Sequence, residues 1–195
     1  MKNLILGTSA TTFSPDTVST RAMVVTLLYR MAGNPEVESN NSFVDVSPED
    51  WFYKAVLWAN AKGIVNGYDS EHFGPNDNIT REQFATILYR YAKMLYPEMK
   101  YEYYSHPYGA YIKPDAYSEE YYKNLDLSFD KTAAENKVSD YAIDPMLLAT
   151  GFGVIRLKDY RLAPKEAVTR ADLAIGMAAM NIIVLPELER NPILH

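Results

Sequence analysis

The 195-residue chain contains no cysteine, so disulfides, thiolate nucleophiles and thiolate metal ligands are all excluded. Its three histidines, His72, His106 and His195, are scattered, with no His-x-x-x-His spacing to hold a metal. No run of about 18 apolar residues exists, so no membrane insertion is expected. Leu4 to Leu6 is the only apolar core near Met1, far short of the ~7–15 residues of a signal peptide, and none is read in this chain. Positive charge is also scarce. With 19 Lys and Arg against 25 Asp and Glu, the net charge of −6 lacks the basic footprint of nucleic-acid binding. There is no Gly-x-Ser-x-Gly elbow and no phosphate-binding Gly-Lys-Ser/Thr loop. An acid pair such as Glu119-Glu120 has the chemistry of a glycosidase, but among 25 acids such pairs are expected as solvated surface. The chain therefore reads as no enzyme, with no cofactor and no metal.

What is present is repetition. At 48% apolar residues the chain can build one good core, or several small units sharing one. Displaced by 60 positions, Gly7, Phe13, Pro15, Thr20, Arg21, Thr26, Leu28, Tyr29 and Arg30 fall on Gly67, Phe73, Pro75, Thr80, Arg81, Thr86, Leu88, Tyr89 and Arg90 without a gap. Displaced by 89, Pro75, Thr80 and Arg81 fall on Pro164, Thr169 and Arg170, with Phe73, Ile79 and Phe84 on Leu162, Val168 and Leu173. The third copy is weaker but in phase.

Residues 1–35 hold the second half of a copy, with a helix from about Arg21 to Ala32 ended by Gly33-Asn34-Pro35. Val24, Leu27, Leu28 and Met31 give it one buried face. Met1 aligns with Ala61, so the first helix of this copy is not in the chain. Either the chain is a fragment, or another segment or molecule fills the place. Residues 43–95 form the complete copy. Ser47-Pro48-Glu49-Asp50 predicts a helix start, Gly63 its left-handed stop, and Thr80-Arg-Glu-Gln83 a capping box opening a second helix. Residues 96–126 are a tyrosine-rich insertion: nine of 16 tyrosines lie between Tyr96 and Tyr122. Residues 127–185 form the divergent copy, whose last helix runs from about Arg170 to Asn181. Gly176 stands where copy two has Ile87, so a neighbour should come close there. Pro186 is expected to end regular structure, leaving residues 186–195 as a tail.

The segments Trp51…Ala55-Val56…Trp58-Ala59…Lys62-Gly-Ile-Val-Asn-Gly-Tyr, Phe73-Gly-Pro75 and Ile79-Thr-Arg-Glu resemble a surface-layer homology (SLH) repeat. The resemblance covers copy two throughout, the C-terminal half of copy one, and copy three with substitutions. It implies an all-α fold, with three repeats forming a pseudo-threefold unit around a central three-helix bundle. It also implies a non-catalytic module that sits outside the cell and anchors proteins to the bacterial cell wall. The partner it implies is an anionic, often pyruvylated, secondary cell-wall polysaccharide. The expected glycan contacts are Arg81 first, then Arg21 and Arg170, with Gly67, Tyr68, Asp69 and Trp51 around them. The alternative is a degenerate repeat protein acting in assembly, a homo-oligomer in which a second molecule completes copy one.

A physical argument supports that site. An N-capped helix start exposes backbone amides and the positive end of its dipole to a carboxylate. Arginine just inside it adds a bidentate cation, and a glycine loop lets a ligand approach the main chain. Three such sites on one polymer add by avidity. Equally, each Thr-Arg pair can be only a cap followed by an arginine that pairs with an acid. The usual Glu of Thr-Arg-Ala-Glu is Met23, Gln83 and Asp172 here, so copy one should have the weakest cap. Trp58 and Phe73 are expected in the core, Trp51 and Tyr68 at a groove wall.

Overall fold

Three helices begin at a threonine. Thr20 and Thr80 are extended at the cap position, and each hydroxyl accepts the N–H three residues on, from Met23 at 3.4 Å and Gln83 at 3.3 Å. The Gln83 side chain closes the capping box by accepting the Thr80 N–H at 3.1 Å, whereas Met23 has no group that can do so. Asp172 does for Thr169 what Gln83 does for Thr80: its carboxylate accepts the Thr169 N–H at 3.1 Å, and its own N–H donates to Thr169 Oγ1 at 3.2 Å.

This computed structural model describes residues 11–38, 42–97, 137–158 and 161–190, with residues 5, 7 and 9. The tyrosine-rich insertion lies outside the described residues, apart from Tyr96 and Pro97 at its edge. Among the described residues the helices are α1 (Arg21–Met31), α2 (Tyr53–Ala61), α3 (Arg81–Leu95), α4 (Ile143–Gly151), α5 (Arg170–Ala179) and α6 (Leu185–Arg190). A 3-10 turn (Asp140–Ala142) leads into α4, and a π-helical turn (Met180–Val184) joins α5 to α6. No strand is present among these residues, only isolated bridges, which agrees with the all-α expectation.

One unit comprises Met1–Ile79 and Ala167–Leu173. Here α1 packs along α2, with the Tyr29 and Trp58 rings 5.6 Å apart. Phe43 and Phe73 meet at 5.7 Å, and Trp58 and Phe73 are buried, as expected. Helix α2 starts at Tyr53, five residues later than the Ser47-Pro48 signal predicts. Asp50 is the reason. Its carboxylate accepts the Ser47 N–H at 2.7 Å and its N–H donates to the Ser47 carbonyl at 2.9 Å, closing a turn before the helix. That turn leaves Trp51 61% exposed while Phe52 is buried.

Three main-chain hydrogen bonds in this unit form a closed ring. Ser19 N–H donates to Val168 O at 2.8 Å, Val168 N–H to Ile79 O at 2.9 Å, and Ile79 N–H to Ser19 O at 3.1 Å. These are the positions that the 60- and 89-residue displacements superimpose. The Ser19, Ile79 and Val168 side chains are all buried.

The other unit comprises Thr80–Glu166 and Ala174–His195. Helix α3 packs along α4, burying Phe84, Ala85 and Leu88. At Gly176 an added Cβ would lie 2.6 Å from the Phe84 ring, the close approach that its glycine anticipates. Helical structure does not end at Pro186. Proline is the second residue of α6, and the π-helical turn Met180–Val184 runs straight into it, with the Leu185 N–H donating to Met180 O.

Candidate functional site

The three arginines expected as anion contacts occupy one kind of position. Each lies directly after its cap threonine, and each reaches the main chain of a loop distant in sequence. Arg21 Nε donates to Phe73 O at 3.1 Å and its Nη2 to Asn66 O at 3.0 Å. Arg81 Nε donates to Leu162 O at 2.9 Å and its Nη2 to Arg156 O. Arg170 Nε donates to Phe13 O at 3.0 Å. Arg156 therefore keeps its place as a carbonyl acceptor although its side chain departs from the motif.

Burial separates the three. Arg81, expected as the leading contact, is 2% exposed, Arg21 is 5% exposed, and Arg170 is half-buried. Arg21 also lies over two aromatic rings, 4.6 Å from the Tyr68 centroid and 4.8 Å from that of Phe73, and Arg170 lies 5.0 Å over Phe13.

The leading amides of these helices are not open, contrary to the dipole argument. Arg21 and Ala22 N–H donate to Asp77 O and Pro75 O, both at 3.0 Å. Arg81 and Glu82 N–H donate to Glu166 O at 2.9 Å and Pro164 O at 3.0 Å. Arg170 and Ala171 N–H donate to Thr17 O at 2.8 Å and Pro15 O at 2.9 Å. A capping threonine satisfies only one of the orphan donors at a helix start, and here neighbouring loops supply carbonyls for two more.

The Gly67–Asp69 loop is built as tightly. An added Cβ at Gly67 would meet Asp69 O at 2.5 Å, His72 O at 2.6 Å and Phe43 Cε1 at 2.6 Å, so the glycine serves internal packing. Tyr68 is 55% exposed, with one face under Arg21. The Asp69 carboxylate accepts the Glu71 and His72 N–H groups at 2.8 and 2.7 Å and lies 3.0 Å from His72 Nδ1. The Glu71 N–H above all, with help from His72, holds its carboxyl below the usual range. Tyr68, Gly67, Asp69 and Arg21 thus share one loop neighbourhood, and Trp51 presents a second exposed ring at the entrance to α2.

Three features were not anticipated from sequence. Asp45 clamps the Phe73-Gly74 turn, accepting their N–H groups at 2.9 and 2.7 Å. His72, read as one of three scattered histidines, pairs with Asp69. Glu82 is buried and bound by Ser139 N–H at 3.0 Å, Ser139 Oγ at 3.1 Å, Tyr141 Oη at 3.0 Å and Lys165 Nζ at 2.5 Å. Only the Asp45 clamp had a signal: an acid two residues after a buried-type phenylalanine, in Phe43-Val-Asp45.

Residues 42–85 match the family model described as S-layer homology domain. The chain is 40% identical over 98 residues to an endoglucanase of Bacillus sp. (strain KSM-635), covering 50% of this chain and 10% of that protein. It is 28% identical over 174 residues to exoglucanase XynX of Acetivibrio thermocellus, covering 89% of this chain and 14% of that protein. A cellulosome-anchoring protein of Acetivibrio thermocellus is 28% identical over 87 residues, covering 43% of this chain and 20% of that protein. The chain thus spans only a small part of each of these relatives, enzymes included. The family match falls on the segment that carries Asp45, Trp51, Tyr68, Asp69 and Arg81.

Proposed function

We propose that this chain is a non-catalytic module that holds a protein at the bacterial cell surface by binding an anionic, pyruvylated secondary cell-wall polysaccharide. The observation that carries this reading is the S-layer homology match over residues 42–85. A relative named as a cellulosome-anchoring protein supports it, as does the small share of the glucanases that the chain spans. In this reading the glucanase activities belong to parts of those proteins that have no counterpart here.

The sugar rings stack on Tyr68 and Trp51, exposed aromatics beside the Gly67–Asp69 loop and at the start of α2. Positive charge comes from Arg21, Arg81 and Arg170. Their guanidinium groups attract the acidic groups of the polymer. Arg21 and Arg170 act closest to the ligand and Arg81, the most buried, acts through its field. The closed ring of Ser19, Ile79 and Val168, equivalent positions under the two displacements, supports three tandem repeats.

The test is retention of the full chain on purified walls, compared with walls stripped of their secondary polymer and with polymer lacking pyruvate. Binding that requires the pyruvylated polymer and weakens with salt is expected. Equal retention on stripped walls refutes the reading.

A further inference from the structure

We propose that the loop of copy three, residues 156–165, is an anion-binding surface on which Arg156 and Arg161 grip the pyruvyl carboxylates of the wall polysaccharide. This rests on the wall-polymer function proposed above, and it adds a site apart from the arginines at the helix starts. In a chain of net charge −6, a polyanion engages best where the local charge is positive. From position 156 to 165 stand Arg156, Lys158, Arg161 and Lys165 against one acid, Asp159. The matching loop of copy two has the opposite sign: from Asn66 to Pro75 it carries Asp69 and Glu71 and no lysine or arginine.

Hydrogen bonding fixes the match between the two loops, since Asn66 O accepts from Arg21 as Arg156 O accepts from Arg81. Leu157-Lys158 accordingly stands where copy two has Gly67-Tyr68. Copy three lacks the exposed ring that copy two offers to a sugar, and charge takes its place.

The two lysines are committed within their own unit. Lys158 Nζ lies 3.1 Å from Glu166 Oε2, and Lys165 Nζ lies 2.5 Å from the buried Glu82 carboxylate. The arginines are not committed. Both are exposed, and among the described residues neither guanidinium has an ion-pair partner. The main chain beneath them is pinned: Arg156 O by Arg81 Nη2, and Lys158 and Arg161 by reciprocal N–H to carbonyl bonds of 2.9 and 2.8 Å. Residues paired across such a bridge project to one side, so Arg161 stands beside Lys158. Guanidiniums on a pinned backbone cost little main-chain ordering on binding. Each presents a planar fork that matches the two oxygens of a carboxylate.

Purified pyruvylated wall polymer is titrated by calorimetry into the full chain, as wild type and as Arg156→Gln/Arg161→Gln. The double variant should bind at least tenfold more weakly, with a shallower salt dependence. Arg156→Lys/Arg161→Lys, which keeps the charge without the fork, should fall between. Lys54→Gln/Lys62→Gln removes the same charge from exposed positions in and just after α2 and should bind as wild type. A wild type that binds no better than Arg156→Gln/Arg161→Gln overturns the site and leaves the wall-polymer reading standing. A loss as large in the lysine pair reduces the effect to net charge and overturns it too. A difference between wild type and the arginine pair that persists on polymer lacking pyruvate overturns the carboxylate assignment. A wild type that ignores the polymer overturns both readings. Both arginine side chains are exposed, and Arg81 holds the main chain of Arg156 and not its side chain, so thermal melts should coincide. Arg161→Gln alone carries the test if the pair fails to fold.

Discussion

Arg81 Nε donates to the main-chain carbonyl of Leu162, 81 residues away, at 2.9 Å. A guanidinium in that place is a fork holding a loop, and its Nη2 takes a second carbonyl, that of Arg156, on the same loop. The Thr-Arg pair at the helix start therefore has two structural duties at once. Threonine caps its own helix, and arginine ties that helix to the loop that also accepts the first two amides.

Arg81→Ala should lower stability by roughly 2–4 kcal/mol, since it strands the buried Leu162 carbonyl, frees the part-buried one of Arg156 and empties an arginine-sized volume. Arg81→Lys should fall between, because one ammonium cannot reproduce the planar fork. Arg170→Ala, from a half-buried position, should cost less than Arg81→Ala. Urea melts of the three variants check the order; equal losses at positions 81 and 170 would show that burial does not set the cost.

How much of this was legible beforehand depends on the range over which each signal acts. Helix starts at Arg21, Arg81 and Arg170 followed from local rules, since a cap and its partner sit within three residues. The late start of α2 did not, because Asp50 bonding back to Ser47 competes with a helix signal built from the same residues. Pro186 does not end the helix because the turn before it is π-helical, a change of hydrogen-bond spacing that no local proline rule anticipates. Arginine's role was the least accessible. Its acceptors are carbonyls, which carry no side-chain identity, and they lie 45 to 157 residues away.

Tyr68→Ala and Trp51→Ala should each weaken retention on wall polymer by roughly tenfold, in line with ~1–1.5 kcal/mol for a lost aromatic contact. Both residues are more than half exposed, so melting temperature should change little. Binding isotherms on purified polymer, beside melts of the same samples, separate lost contact from lost fold. Unchanged affinity in both variants would remove the aromatic part of the proposed site.

Asp69 gives the loop an acid limit. Its folded carboxyl is held below the ordinary 3.8, chiefly by the Glu71 N–H, so the folded state favours the ionised form. That contribution is present above pH 3.8 and disappears as pH falls through the lower folded value. Wild type should therefore exceed Asp69→Ala in melting temperature at pH 6, and the gap should shrink as pH falls below 3.8. A gap constant down to pH 2 would mean that the loop does not depend on the carboxylate charge.

Tyr89 sets the alkaline side, with the opposite sign. It lines an apolar groove with Pro145, Leu148, Phe152 and Met180, and burial, with Asp144 adding repulsion, pushes its hydroxyl from 10.0 up to about 12. The folded state therefore favours the neutral phenol. Its contribution is complete below pH 10, where the phenol is neutral in both states, and is lost as pH rises from 10 to 12. Phenylalanine cannot ionise, so Tyr89→Phe should flatten the decline in melting temperature across that window. Tyr91 and Tyr96, raised in the same direction mainly by burial, should keep some decline in the variant. Superimposable alkaline melting profiles for wild type and Tyr89→Phe would place the ionising group that matters elsewhere.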